Sequence, residues 1–217
     1  MRIVIAGGSR FSVDAAQSLL KRGIGNVTLV IEDKDDAMKA STELPKVTVV
    51  NASPSKPEVL SELDLDKCDV FVSATKTEEI SILAGLYAKE HNVRRIYVKT
   101  TKEDTKMILA KLGMKAIDIS ESAANSIVLD IAEPLIYDLV GIGKGPLDIR
   151  EKEVNDYPNL IGKIMGEVRG KFFNVISIYQ EGKFYLAADT AIKENSSLIV
   201  LEESGQDEKV DKDLKKK

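Results

Sequence analysis

The residues of this chain best suited to chemistry are Gly7, Gly8 and Ser9, which follow an apolar run at 2–6 and precede a helical pattern. A glycine-rich turn between a strand and a helix presents backbone N–H groups at a helix N-terminus, where the dipole favours an anion such as phosphate. Gly7 fits the first glycine of G-x-G-x-x-G, while Ser9 and Ser12 stand at the other two glycine positions. Ser9 is small enough for a fairly close approach, though less close than glycine allows. Glu32 ends the second apolar run, roughly 20 residues past the turn, where an acid accepts from ribose hydroxyls. Arg10 and Lys76 place positive charge where phosphates would sit. Each feature also has a plainer reading. A Gly-Gly-Ser turn serves any tight entry into a helix, Glu32 and Asp33 could start a solvated loop, Asp35 could cap a helix, and Lys76 could be a surface charge. It is the combined order of turn, acid and fourth-strand loop that points toward a nucleotide.

Catalysis finds less support. His91 is the only histidine and sits late in a long helical pattern beside Glu90 and Asn92, where a solvated helix-end residue is expected. Cys68 has no histidine motif near it and reads as a small half-buried residue. Asp64 and Asp66 could hold an exposed divalent ion, but a charged loop accounts for them. The chain lacks a histidine–cysteine cluster for zinc, a G-x-S-x-G elbow and a G-x-x-x-x-G-K-[ST] loop. The expectation is a protein that is not an enzyme and has no catalytic or metal residues.

The elements that must position these residues alternate. Apolar runs at 2–6, 27–31, 47–50, 70–74, 96–99 and 116–119 read as six strands buried on both faces. Between them, 12–22, 35–44, 57–63, 78–91 and 105–112 carry helical spacing or helix signals, with Gly23, Pro45 and Gly113 as stops. That order predicts an open, doubly wound parallel sheet with right-handed crossovers. The carboxyl ends of the strands, where ligands usually bind, carry residues 7–10, Glu32 and Asp33, Asn51 to Ser53, 74–76 and 99–101.

A further helix is expected at 120–131. Pro134 and the glycine-rich run 141–146 then break the pattern and read as a domain boundary. Beyond it, 174–179 and 183–187 flank the hairpin signal Gln180-Glu181-Gly182, 160–168 looks like a short helix or turn of helix, and 198–201 like a last strand. Residues 204–217 read as a disordered charged tail. The domains are therefore expected at 1–133 and 134–203, the second a small α+β module.

With 217 residues, 43% of them hydrophobic, the chain can bury a substantial core. A net charge of −4 gives no basic field for nucleic acid, and scarce aromatics with no Trp offer no base-stacking platform. A single cysteine excludes an intramolecular disulfide and suits a reducing cytosol. No apolar run nears the roughly 20 residues of a membrane span, and the chain opens directly on a strand, which predicts no leader and no direct membrane insertion.

The chain resembles the RCK family, regulators of potassium conductance also called the TrkA-N/TrkA-C or KTN type. RIVIAGGSR, VVNASPSKPEVLSELDLDKCDVFVSAT, EEISILAGLYAKE and KEDTKMILAKLGMKAIDIS follow that family's N-terminal domain in order. PNLIGKIMGEVR and KENSSLIVLEE resemble its C-terminal domain. The resemblance implies a Rossmann-like fold and a cytosolic regulatory subunit of a potassium channel or transporter, held at the membrane through that partner. It also implies homodimers, often assembled as a ring, whose rearrangement on binding NAD(H), ATP or ADP gates the membrane subunit. Some members take calcium or a cyclic dinucleotide at other sites.

Position by position, the resemblance implies a cofactor site of Gly7, Gly8, Ser9, Arg10, Phe11, Glu32, Asp33, Asn51, Ala52, Ser53, Thr75, Lys76 and Lys99. Gly7, Arg10, Glu32 and Thr75 match family positions. Asn51 replaces a common Asp, Lys76 a common Asn or Asp, and Lys99 a common Arg. These departures leave a mononucleotide, altered specificity or an empty site open. Two alternatives share the sheet: a small NAD(P)-dependent oxidoreductase, and a scaffold of the same fold that binds nothing.

Overall fold

The computed structural model describes residues 1–140 and 145–217. Most of the glycine-rich run expected to mark the domain boundary, 141–146, lies outside the described residues. Cα packing divides the chain into two compact units, Met1–Ala123 and Ala124–Lys217.

The first unit is a six-stranded parallel sheet in the order β3-β2-β1-β4-β5-β6. Its strands are β1 (Arg2–Ala6), β2 (Asn26–Ile31), β3 (Thr48–Asn51), β4 (Val70–Ser73), β5 (Arg95–Lys99) and β6 (Lys115–Ile117). They are linked by α1 (Arg10–Lys21), α2 (Lys34–Glu43), α3 (Pro57–Ser61), α4 (Glu78–Glu90) and α5 (Glu103–Lys111). This is the doubly wound Rossmann order. Between β1 and β4 the direction of winding reverses, which opens a crevice at the carboxyl ends of the strands.

The apolar runs are continuous because both faces of the sheet are covered. Ile3, Ile5, Leu29 and Ile31 pack with Val13 and Ala16 of α1 and Ala37 and Ala40 of α2. The alternate residues Val4, Ala6 and Val30, with Phe71, pack with Ala84 and Ala88 of α4 and Leu109 of α5. A one-residue slip of β1 would exchange these two sets, so its register is tightly held.

Helix α6 (Ile119–Ala132) begins in the first unit and continues into the second. Pro134, read as a break, opens α7 (Pro134–Val140), where its missing N–H costs little. The second unit contains an antiparallel sheet in the order β7-β10-β8-β9, from β7 (Leu147–Glu153), β8 (Phe173–Gln180), β9 (Lys183–Tyr185) and β10 (Ser197–Glu203). Glu181 and Gly182 both have positive φ, 52° and 77°, as a two-residue hairpin turn requires.

The short helix or turn of helix expected at 160–168 takes the second form, as two short 3-10 turns, Pro158–Leu160 and Met165–Glu167. Gly162 has a φ of +83° and Ile164 bridges to Ala191, so a continuous helix cannot form between them. The tail expected to be disordered contains α8 (Asp207–Leu214). Val210 and Leu214, one helical turn apart, are fully buried in the core of Val154, Leu160, Ile178, Leu198 and Val200. Two apolar residues at i and i+4 give a charged helix a buried stripe that its composition alone does not reveal.

Candidate functional site

The crevice of the first unit holds a narrow cleft, about 30 Å³ in volume and open to solvent at its mouth. The turn after β1 contributes Gly7 and Gly8, and the end of β2 contributes Ile31 and Glu32. Asp33 and Asp36 come from the start of α2, Pro54 from the loop after β3, Thr75 and Lys76 from the loop after β4, and Ile80 from α4.

Gly7 lets the chain make the turn. Its φ is +137°, and a Cβ there would lie 2.2 Å from the Ala74 carbonyl oxygen, so β1 and β4 can close up only around a glycine. Its N–H donates to the Val30 carbonyl at 2.9 Å. Gly8 passes close to β2, with a Cβ site 2.7 Å from Ile31 Cγ2. Ser9 is the N-cap of α1 in extended backbone, and its hydroxyl makes no capping bond. It lies 3.4 Å from the hydroxyl of buried Ser12. First-turn N–H groups of a helix lack intrahelical partners; here the Ser12 N–H is taken up by the Ser9 carbonyl at 2.9 Å.

Arg10 points elsewhere. Its guanidinium pairs with Asp14 at 2.7 Å and Glu43 at 3.0 Å, and the side chain is exposed. Phe11 is half-buried and off the cleft lining. Asn51 works as a staple: its Nδ2 donates to the Ile31 carbonyl at 2.9 Å and the Glu32 carbonyl at 3.0 Å, holding the end of β3 to the end of β2. The Ala52 N–H adds a bond to the Ile31 carbonyl, and the Ser53 hydroxyl pairs with that of Ser55. Lys99 Nζ donates to the Thr75 carbonyl. Buried Thr75 donates its N–H to the Ser81 hydroxyl and its own hydroxyl to the Thr77 carbonyl, which sets the loop that carries Lys76. The structure therefore gathers Gly7, Gly8, Glu32, Asp33, Thr75 and Lys76 around one cleft. Ser9, Arg10, Phe11, Asn51, Ala52, Ser53 and Lys99 stand outside its lining.

Asp33, rather than Asp35, caps α2: its Oδ1 accepts from the N–H groups of Asp36 and Asp35, both at 3.0 Å. The Asp36 N–H bond, then that of Asp35 and the nearby Lys76, hold the Asp33 carboxyl below its ordinary range, so it stays ionised. Asp36 is a cleft residue that reading the sequence missed. With Asp33 recognised as the N-cap, Asp36 falls in the first turn of α2 and faces back toward Gly8. Ile31, Pro54 and Ile80 were also missed; they form the apolar side of the cleft.

The other candidates are occupied locally. Cys68 is buried, and its Sγ donates to the Val70 carbonyl; burial pushes the thiol up. His91 Nδ1 lies 2.9 Å from Asp66, and Asp64 pairs with Lys67 at 3.2 Å. Among the described residues no three His, Cys, Asp or Glu side chains come together as metal ligands. Among the same residues no helix is long and apolar enough to cross a membrane.

A doubly wound sheet with a glycine turn at its switch point defines a Rossmann-type domain. Comparison with known proteins narrows this class. The TrkA-N domain family matches residues 3–121, more than half of the chain, and the chain belongs to that family. The resemblance carried by the strand and helix motifs is borne out. A Trk system potassium uptake protein TrkA homolog of Methanothermobacter thermautotrophicus is 25% identical over 202 residues, covering 92% of each chain. A TrkA homolog of Archaeoglobus fulgidus is 24% identical over 208 residues, which are 93% of this chain and 47% of that protein, so this chain spans about half of that longer relative. Among solved structures, the NAD(P)-binding domain of an exopolyphosphatase-related protein from Archaeoglobus fulgidus aligns with a TM-score of 0.53 at 15% identity, covering 60% of this chain and 97% of that one. That last likeness is one of fold.

Proposed function

We propose that this protein is a cytosolic nucleotide-sensing regulatory subunit of a potassium channel or transporter. The observation that carries the reading is the convergence of Gly7, Gly8, Glu32, Thr75 and Lys76, from three strand ends, on one cleft at the switch point. The turn and Lys76 offer donors to a phosphate, Glu32 offers an acceptor to ribose, and Ile31, Pro54 and Ile80 offer an apolar wall to a base. The candidate ligands are NAD(H), ATP and ADP. The uptake proteins among its relatives favour potassium transport over an oxidoreductase role. In this reading 1–133 forms the nucleotide module and 134–203 a second regulatory module.

The protein acts as a homodimer, within a higher ring where its partner requires one. Ile127, Val128, Ile131 and Leu135 of α6 and α7 are each more than half exposed, an apolar face that a second copy would cover. Ligand shifts the dimer only by binding one arrangement more tightly than the other, and that difference is what the membrane subunit reads. Calorimetry with NAD+, NADH, ATP and ADP tests the ligand: heat with at least one is expected, and none with any of the four overturns the sensor reading. Capture of potassium channel or transporter subunits by the purified protein tests the partner.

A further inference from the structure

Three carboxylates line the cleft, those of Glu32, Asp33 and Asp36, against one cation, Lys76. Asp36 matters most for an anion. Its Oδ2 lies 3.8 Å from the position a Cβ on Gly8 would take, so a full negative charge stands beside the turn that would receive a phosphate. The cation nearest in sequence to that turn does not offset it, because Arg10 is held by Asp14 at 2.7 Å and by Glu43 at 3.0 Å. Lys99 is bound to the Thr75 carbonyl. What remains is Lys76 and the partial positive charge of the α1 N-terminus, equivalent to about half a unit.

We infer that the cleft selects its nucleotide by low net charge, with Asp36 as the specificity-determining residue, and takes NAD+ or a neutral adenosine moiety in preference to ADP and ATP. The inference rests on the nucleotide-sensing reading above. At neutral pH NAD+ carries about one net negative charge, because its pyridinium cation offsets part of the diphosphate. ADP carries about three negative charges and ATP about four, since a terminal phosphate is mostly doubly ionised. Each added charge meets a field of net negative sign in a cleft whose walls focus it. The apolar wall and Glu32 bind adenosine in every member of this series, so the members differ chiefly in what their phosphates meet.

The field also predicts an uncommon salt response. An ordinary phosphate site weakens as salt rises, because attraction is screened. Here screening removes repulsion, so ATP binds better at high ionic strength. Among the described residues the Asp36 carboxylate has no hydrogen bond to another element, and its nearest cation is Lys39 of the same helix at 3.9 Å, so Asp36→Asn is expected to preserve the fold.

The experiment is calorimetry of the full chain with adenosine, NAD+, ADP and ATP in magnesium-free buffer, at about 50 mM and about 300 mM salt, for wild type, Asp36→Asn and Glu32→Gln, with circular dichroism as the check on folding. NAD+ is expected to bind tighter than ADP and ADP tighter than ATP, with ATP binding better at the higher salt. Asp36→Asn is expected to improve ATP affinity about fivefold, the effect of one charge several ångströms away in a partly solvated site, and to leave adenosine unchanged. Glu32→Gln is expected to weaken adenosine most and ATP least, because it removes a ribose acceptor and a cleft charge together. ATP binding as tightly as NAD+, or weakening with salt, overturns charge selection while leaving the nucleotide site in place. An unchanged ATP affinity in a folded Asp36→Asn protein overturns the role of Asp36. No binding by any of the four overturns the site reading itself.

Discussion

A Cβ on Gly7 would sit 2.2 Å from the Ala74 carbonyl oxygen, just past the end of β4, on backbone whose φ is +137°. Neither the clash nor the conformation can relax without parting β1 from β4. Gly7→Ala is expected to lower unfolding stability by about 2–4 kcal/mol in urea titration and to abolish nucleotide binding. Asn51 sets a gentler test. Its amide links two carbonyls at the ends of β2 and β3, and Asn51→Ala is expected to cost about 1 kcal/mol, since the site is partly solvated. An unchanged midpoint for Asn51→Ala would show that this staple adds nothing. Gly7 was legible in the sequence because only glycine serves such a turn. The role of Asn51 was not, because its partners lie 19 and 20 residues away and are backbone atoms.

At the level of elements, α8 is tied to the second unit by charge as well as by Val210 and Leu214. Lys152 of β7 is buried, and its Nζ bonds to both Asp207 and Asp211 of α8, while the Tyr157 hydroxyl donates to Asp211 at 2.6 Å. Glu202 of β10 is 1% exposed, and among the described residues neither carboxylate oxygen has a hydrogen-bond partner. Its nearest cations are Arg150 at 3.5 Å and Lys152 at 3.9 Å. Leu214→Ala is expected to cost about 2–4 kcal/mol, and Lys152→Met, which strands the acids, about 2–3 kcal/mol once the exposure of Asp207 is discounted. Proteolysis of the tail measures the loss of docking in both variants.

The same cluster sets a pH profile. Burial pushes the Glu202 carboxyl above its ordinary value of 4.5, with Lys152 opposing. The folded state therefore holds this proton more tightly than the unfolded chain, and the contribution is full below 4.5 and lost as pH rises through the raised value. Asp211 moves the other way: burial raises it, but bonds from Lys152 and Tyr157 outweigh that and leave it lowered. Its contribution is present above its ordinary value of 3.8 and lost as pH falls through the depressed one. Stability of the second unit is thus expected to rise as pH falls toward 4.5 and to drop below the carboxylate range. Glu202→Gln should flatten the first slope, and an unaltered slope in a pH series of denaturant midpoints would rule the account out.

For the whole molecule, assembly and ligand are the quantities to measure. Ile131 is 76% and Leu135 83% exposed, and light scattering of the purified protein is expected to report a dimer that Ile131→Asp and Leu135→Asp convert to monomer. Monomer in the wild type would refute the assembly. Bound ligand at a hundredfold above its dissociation constant should stabilise the folded protein by about 2.7 kcal/mol, read as a rise in melting temperature.

Composition and periodicity were enough for the alternating strands and helices, the parallel sheet and the glycine turn, because these follow from local backbone and burial patterns that each segment carries by itself. The hairpin at Glu181-Gly182 was legible for the same reason. Tertiary structure decided which charges face the cleft. Arg10 and Asp36 are both charged residues near strand ends, yet packing turns the first toward Glu43 and the second toward Gly8. It also decided that 207–214 docks, because whether Val210 and Leu214 find a core depends on what the rest of the chain leaves uncovered. Local propensity selects the elements; the partner of a long polar side chain is chosen only when distant elements meet.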